Sequence, residues 1–269
     1  MVKKCIVLIF CILYFANADS LDDKIASFMD KKKYESSGNL ISFLFSPKEN
    51  YYKNNNVDAL SVIRTLNSNG LLNLYSKEPK DIELIFYIDF NPLVSLKVIS
   101  ESLSSMGYSF FLTKKIIKSN NGLEWHINIS TQNIPNPINL EDSLSQRGCF
   151  IENISKDENI WSYQINTQFA TIEALELKKG VQNELTKSLS AYWVKVDDVK
   201  KIIIRSHNAD NWYPKITFYD EGLNLLQKIE EDQRRYVLRT SIPEKAHYIK
   251  LEDKYTLDNI KRGLRVTLE

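Results

Sequence analysis

The chain has 269 residues, with 35 basic and 34 acidic side chains, three cysteines and a hydrophobic share of 43%. So even a charge balance excludes an electrostatic nucleic-acid binder, which needs a basic surface. The length and apolar content suit a globular protein with a sizeable core, divided into more than one domain.

The N-terminus has three parts. Lys3 and Lys4 are basic, Cys5 to Phe15 are uninterruptedly apolar, and Ala16-Asn17-Ala18 places small residues where a signal peptidase reads. This is the layout of a secretory signal, with cleavage expected after Ala18. The apolar run is too short for a permanent membrane helix, which needs about 20 residues. No later stretch has the length and apolarity to span, so the mature chain is expected not to cross a membrane. Removing Lys3 and Lys4 leaves 33 basic residues against 34 acidic ones. Of the cysteines only Cys149 survives, so no internal disulfide can form. A disulfide-free exported chain rich in Lys, Asn and Ile fits the periplasm of a Gram-negative bacterium. In that setting the glycosylation patterns at Asn128 and Asn153 are chance matches.

Residues 19–80 read as a helical N-terminal segment. Leu21, Ile25, Phe28 and Met29 share one helical face. Gly, Pro and an Asn run then break the pattern. Val57, Leu60, Ile63 and Leu66 predict a second helix, ended by Asn69-Gly70.

Residues 81–166 read as a ferredoxin-like βαββαβ module. "IELIFYIDF" is a strand. Asn91 and Pro92 open a helix whose expected stripe is Leu93, Leu96, Ile99, Leu103 and Met106, with Gly107 as the stop. "YSFFLTKKIIK" and the alternating "LEWHINIS" are strands. "ESLSSMGY" at 101–108 then returns as "DSLSQRGC" at 142–149, an offset of 41, and each copy has an Asn-Pro pair upstream. A strand follows each, and "IWSYQIN" adds a further edge strand. The helix at 92–105 reads as a packing layer, because its N-terminal end offers no charged or nucleophilic group.

Residues 167–269 carry short strand-like runs about every 10 residues, separated by turn signals. Such regularity predicts an antiparallel β-sandwich of jelly-roll type. "VQNELTKSLS" allows a short helix leading into it. The fold class expected is therefore α+β: short helices, a ferredoxin-like module, then a sandwich.

Catalytic motifs are missing. His126, His207 and His247 are far apart, and none sits in HxH, HExxH or CxxC. Cys149 follows a helix stop and reads as a buried small hydrophobe. No serine-nucleophile motif or glycine-rich phosphate loop occurs. The expectation is no catalytic residues, no metal and no cofactor. For ligand binding the candidates are Asp210, Asn211, Trp212 and Tyr213, which put two aromatic rings in a polar loop between strands, where a sugar could stack. The competing fate of Trp212 is the sandwich core.

The run "IELIFYIDFNPLVSLKVISESLSSMGYSFFL" resembles the short periplasmic βαβ modules of secretins and TonB-type receptors, in its strand, its "PL" helix start and its "GY" stop. With "NGLL" at Asn69 to Leu72 before it, the chain also resembles exported proteins of Gram-negative bacteria. No membrane barrel or secretin core follows. The resemblance implies an envelope-associated assembly or binding role. The expected function is a non-enzymatic periplasmic protein binding another envelope protein or a surface polymer. The alternatives are a carbohydrate-binding protein using the sandwich, and a hydrolase with an acidic pair that sequence spacing does not reveal.

Overall fold

The computed structural model describes residues 20–119, 122–187 and 189–269; the expected export signal at 1–18 lies outside them. The architecture is mixed α and β, with six α-helices among the described residues and sheets that are largely antiparallel.

Ser20 accepts from the Asp23 amide and caps α1 (Leu21–Phe28). Leu21, Ile25, Phe28 and Met29 are all buried, as their spacing predicts. The helical reading from Leu21 to Tyr34 breaks after Phe28 and resumes as α2 (Lys31–Ser36), capped by Asp30, and the stretch read as irregular contains a further helix, α3 (Gly38–Leu44). Both are too short for an apolar period to show. A two-residue turn joins β1 (Tyr52–Lys53) to β2 (Asn56–Val57) through Asn54 and Asn55, both left-handed. Asparagine tolerates that conformation. Asp58 then caps α4 (Ala59–Ser68), which buries Ala59, Val62, Ile63 and Leu66. The expected stripe through Val57 and Leu60 is displaced, because Val57 belongs to β2 and the cap fixes the phase of the helix after it.

The central sheet is built from β3 (Tyr75–Ile88), α5 (Pro92–Ser105), β4 (Leu112–Ser119), β5 (Gly122–Asn133), α6 (Pro137–Ser145), β6 (Phe150–Asp157) and β7 (Ile160–Asn166). Its strand order is β4-β5-β3-β7-β6. The β4-β5-β3 half pairs antiparallel, as a ferredoxin-like half does. The second half departs from expectation. β7 is not an edge strand. It lies between β3 and β6, parallel to the first and antiparallel to the second. Trp161, Tyr163 and Ile165 alternate along β7 and are all fully buried. Side chains of that size need cover from neighbours on both sides, which an interior position supplies.

The repeat seen in the sequence has a structural counterpart. Gly107 and Gly148 both adopt positive φ after their helices. The Tyr108 amide donates to the Leu103 carbonyl and the Cys149 amide to the Leu144 carbonyl, so both helices close with the same six-to-one bond. Ser102 and Ser143, equivalent across the offset of 41, meet hydroxyl to hydroxyl at 2.9 Å between α5 and α6. The two halves therefore pack about a local pseudo-two-fold, and β7 interrupts its symmetry. α5 is rotated from its expected stripe: Val94, Val98, Ile99 and Leu103 are buried with Ser95 and Ser102, while Leu93 is exposed. Ser95 can go inside because its hydroxyl donates to the Phe90 and Asn91 carbonyls.

The remaining strands are β8 (Leu175–Glu176), β9 (Gln182–Leu185), β10 (Tyr192–Lys195), β11 (Lys201–Ser206), β12 (Pro214–Tyr219), β13 (Leu225–Glu230), β14 (Val237–Ser241), β15 (Tyr248–Asp253) and β16 (Leu264–Leu268). β9 stands where a short helix was expected. The Asn183 side chain bonds the backbone of Lys178 and Val181, which competes with helix formation. Two sheets form, β13-β12-β15-β10-β8 and β14-β11-β16-β9. β9 pairs with β16, β10 with β15, β11 with β14 and β12 with β13, all antiparallel. Nested pairs of this kind describe one long hairpin rolled into a sandwich, the jelly-roll arrangement. Between the sheets lie Val194, Ile204, Trp212, Phe218, Ile249, Leu251 and Val266.

The helices of residues 21–68 and the central sheet share one apolar core, which also takes in Leu223 and Tyr248 from the outer side of the sandwich. At this junction the Lys97 ammonium of α5 stands 4.5 Å from the Trp193 ring, which packs on Tyr219. Lys97 and Arg147 both pair with Glu101. Trp193 thus faces outward from its strand, while its neighbour Tyr192 faces the sandwich core.

Candidate functional site

Two surface features of the N-terminal half stand apart from the packing. The first is β4. It pairs with β5 alone, and among the described residues nothing pairs with its other side. Nearly the whole strand is exposed. Phe110 is 83% exposed, Leu112 60% and Ile116 52%. The register puts Leu112 beside Asn128 on the open face of the sheet and Ile116 beside Trp125 on the helix side. A bulge at Lys114 breaks the register between Thr113 and Lys115. Lys114 pairs with Glu83, whose carboxyl is held below the usual range by that bond and by His126. Lys115 and Lys118 have no ion-pair partner among the described residues. The strand at the opposite margin, β6, is likewise unpaired on its outer side among the described residues, with α1, α4 and α6 packed near it.

The second feature is a cleft of about 630 Å³ formed by the β1–β2 hairpin, α4, α6 and β6. Glu141 sits half-buried in its wall and accepts from the Ile151 amide at 2.7 Å. Burial pushes its carboxyl up, opposed by that amide bond and by the charge of Arg64. Lys53, Asn54 and Asn56 line the mouth, and their side chains make no hydrogen bond among the described residues, though the Lys53 charge acts on Glu141. Arg64 lies 3.6 Å from Asp142. The exposed Phe150 ring borders the same space.

Each carboxylate here accepts a hydrogen bond of its own. Asp58 caps α4 by accepting from Ser61. Glu152 accepts from the Asn166 side-chain amide, and its charge helps raise the Asp89 carboxyl, after burial. His126 is clamped between Glu83 at 2.8 Å and Glu124 at 2.5 Å, on opposite ring nitrogens. Among the described residues no three His, Cys, Asp or Glu side chains converge as metal ligands.

The four candidates from the sequence lie together at one end of the sandwich, where Asp210 and Trp212 are bonded through their side chains and Asn211 and Tyr213 through their backbone amides. Trp212 is fully buried, with its indole N–H donating to the Glu252 carbonyl at 3.1 Å. It presents no face on which a sugar could stack. Asp210 is buried and bound by Arg262 through its guanidinium at 2.6 Å. The Asn211 amide donates to the Asn259 carbonyl, and the Tyr213 amide to Asp253. Tyr213 packs edge-on against Tyr255. These contacts tie loop 207–213 to loop 253–262. A clue was present in the sequence: Trp212, Pro214, Ile216 and Phe218 alternate, and all four are buried. The unpaired margin at β4 carried no comparable cue, since strand order is set by distant pairing.

Cys149 is fully buried, and burial pushes its thiol up from 9.0 to about 11. At pH 8 a thiol reagent should modify the native chain at least about a hundredfold more slowly than the unfolded chain, from ionisation alone. Equal rates in buffer and in denaturant would contradict the burial.

No protein-family profile, curated protein or solved structure matches this chain.

Proposed function

We propose that this chain is an exported, non-enzymatic binding protein that holds an extended segment of another envelope protein along β4. The observation that carries the reading is the bare margin of that strand, with Phe110, Leu112 and Ile116 exposed beside it. An unpaired edge offers a row of backbone donors and acceptors, and a partner strand can satisfy them by extending the sheet. Leu112 and Ile116 stand on opposite faces of the sheet, so each could receive an alternate side chain of the guest.

Lys115 and Lys118 select the partner. A lysine-bearing, bulged edge resists pairing with another copy of itself. Two such edges would bring like charges together, whereas an acidic segment would meet complementary charge. Attraction of that kind speeds encounter and weakens with salt.

The test is site-specific photo-crosslinking in intact envelopes. A crosslinker at Ile116 should capture one partner, and the same group at Leu225 on the exposed edge strand β13 should not. Lys115→Glu with Lys118→Glu should weaken capture by about tenfold or more, from loss and reversal of two charge contacts. Equal capture at both positions, or none at Ile116, would sink the reading.

A further inference from the structure

We propose that the cleft between the β1–β2 hairpin, α4, α6 and β6 binds a neutral saccharide, a site independent of the β4 margin. Its volume of about 630 Å³ falls within the range of small-ligand sites, about 300–1,000 Å³. Its lining is mostly polar, which does not suit an apolar ligand. The charges nearly cancel, with Lys53 and Arg64 against Asp58, Glu141 and Glu152. The single excess negative charge gives an anion no net pull and a cation only a weak one.

The lining instead offers donors and acceptors side by side. The ammonium of Lys53 and the amides of Asn54 and Asn56 make no hydrogen bond among the described residues. The Arg64 guanidinium makes only a 3.6 Å approach to Asp142, which leaves its donors open. Glu141 spends one oxygen on the Ile151 amide, which fixes the carboxyl in place, and its other oxygen has no hydrogen-bond partner. A sugar hydroxyl is donor and acceptor at once, so a ring bearing several of them can meet both kinds of group. Its bond to a carboxylate is charge-assisted and among the stronger ones available. Phe150, Val57 and Leu60 add apolar surface to the same space. A saccharide has a C–H face as well as hydroxyls, and an exposed aromatic ring is a platform for such a face.

The geometry has a rigid part and an adaptable part. Glu141 and Phe150 stand on α6 and at the start of β6, inside the packed module. Lys53, Asn54 and Asn56 stand on a two-stranded hairpin at the rim. The first pair would set which sugar face enters, and the hairpin would close over it.

The experiment uses the full chain on an array of neutral oligosaccharides, with uronic and sulfated oligosaccharides and dipeptides as the other arms, followed by titration calorimetry with the best neutral glycan. The expected result is retention of a neutral oligosaccharide. Glu141→Gln, Phe150→Ala and Asn56→Ala should each weaken it by about tenfold, the effect of one lost polar or stacking contact. The Asn56 variant changes an exposed side chain on β2 and so keeps the test valid if either other variant folds poorly. Lys115→Glu with Lys118→Glu should leave glycan affinity unchanged, which separates this site from the margin at β4. Retention of only charged glycans or dipeptides, retention of nothing, or neutral-glycan binding indifferent to all three variants would overturn the proposal.

Discussion

Trp212→Ala should destabilise the sandwich by about 3–5 kcal/mol, the usual cost of truncating a large buried aromatic. The indole is fully enclosed between the two sheets, so its removal leaves a void lined by its former neighbours. The Glu252 carbonyl also loses its donor. Denaturant unfolding followed by far-ultraviolet circular dichroism would measure the change. A loss below about 1 kcal/mol, the range of surface substitutions, would mean that Trp212 is not a core residue. Because the ring does not reach solvent, the same variant should leave the affinity of any glycan bound at the Glu141 cleft unchanged while the protein remains folded.

Gly148→Ala and Gly107→Ala should differ sharply, although the two glycines are equivalent in the repeat. Both hold positive φ, so alanine strains the backbone at each, by about 1 kcal/mol or a little more. At Gly107 an added methyl group meets nothing within 4 Å. At Gly148 it would lie 2.0 Å from the Phe169 carbonyl oxygen, in the segment leading from β7 toward the sandwich. Neither backbone can give way cheaply, because the Thr171 amide is bonded to the Arg147 carbonyl at 2.9 Å. The second substitution should therefore cost about 3 kcal/mol or more. Paired denaturation curves decide it, and equal losses would show that the close approach at Phe169 does not exist.

The sequence disclosed most where a pattern was local. The α1 stripe, the alternation of "LEWHINIS" and the paired Gly stops all depend on neighbours within a few residues, and the structure places them as read. It disclosed least where a choice was made at a distance. Either strand of the β6–β7 hairpin could have joined β3, and only the bulk of Trp161 and Tyr163 hinted that β7 would be the one enclosed. On α5, spacing of three and four suited Leu93 and Leu96 as well as Ser95 and Val98. Close approach of α6 decided for the small residues, through Ser102 and Ser143. The candidate site shows the same division. Trp212 carried an inward parity that its polar neighbours masked. The Glu141 cleft draws residues from the β1–β2 hairpin, α4, α6, β6 and β7, so no single window of sequence could contain it.

The hairpin that placed β7 inside the sheet also made the two halves of the module unlike, with β4 and β6 at its flanks. Without it, a two-fold module would present two equivalent flanks, and strand addition at both could run on into a filament. Here α1, α4 and α6 pack near the β6 flank, and β4 forms the other. Were a guest strand to add at β4 alone, growth by pairing would take a single step and then stop.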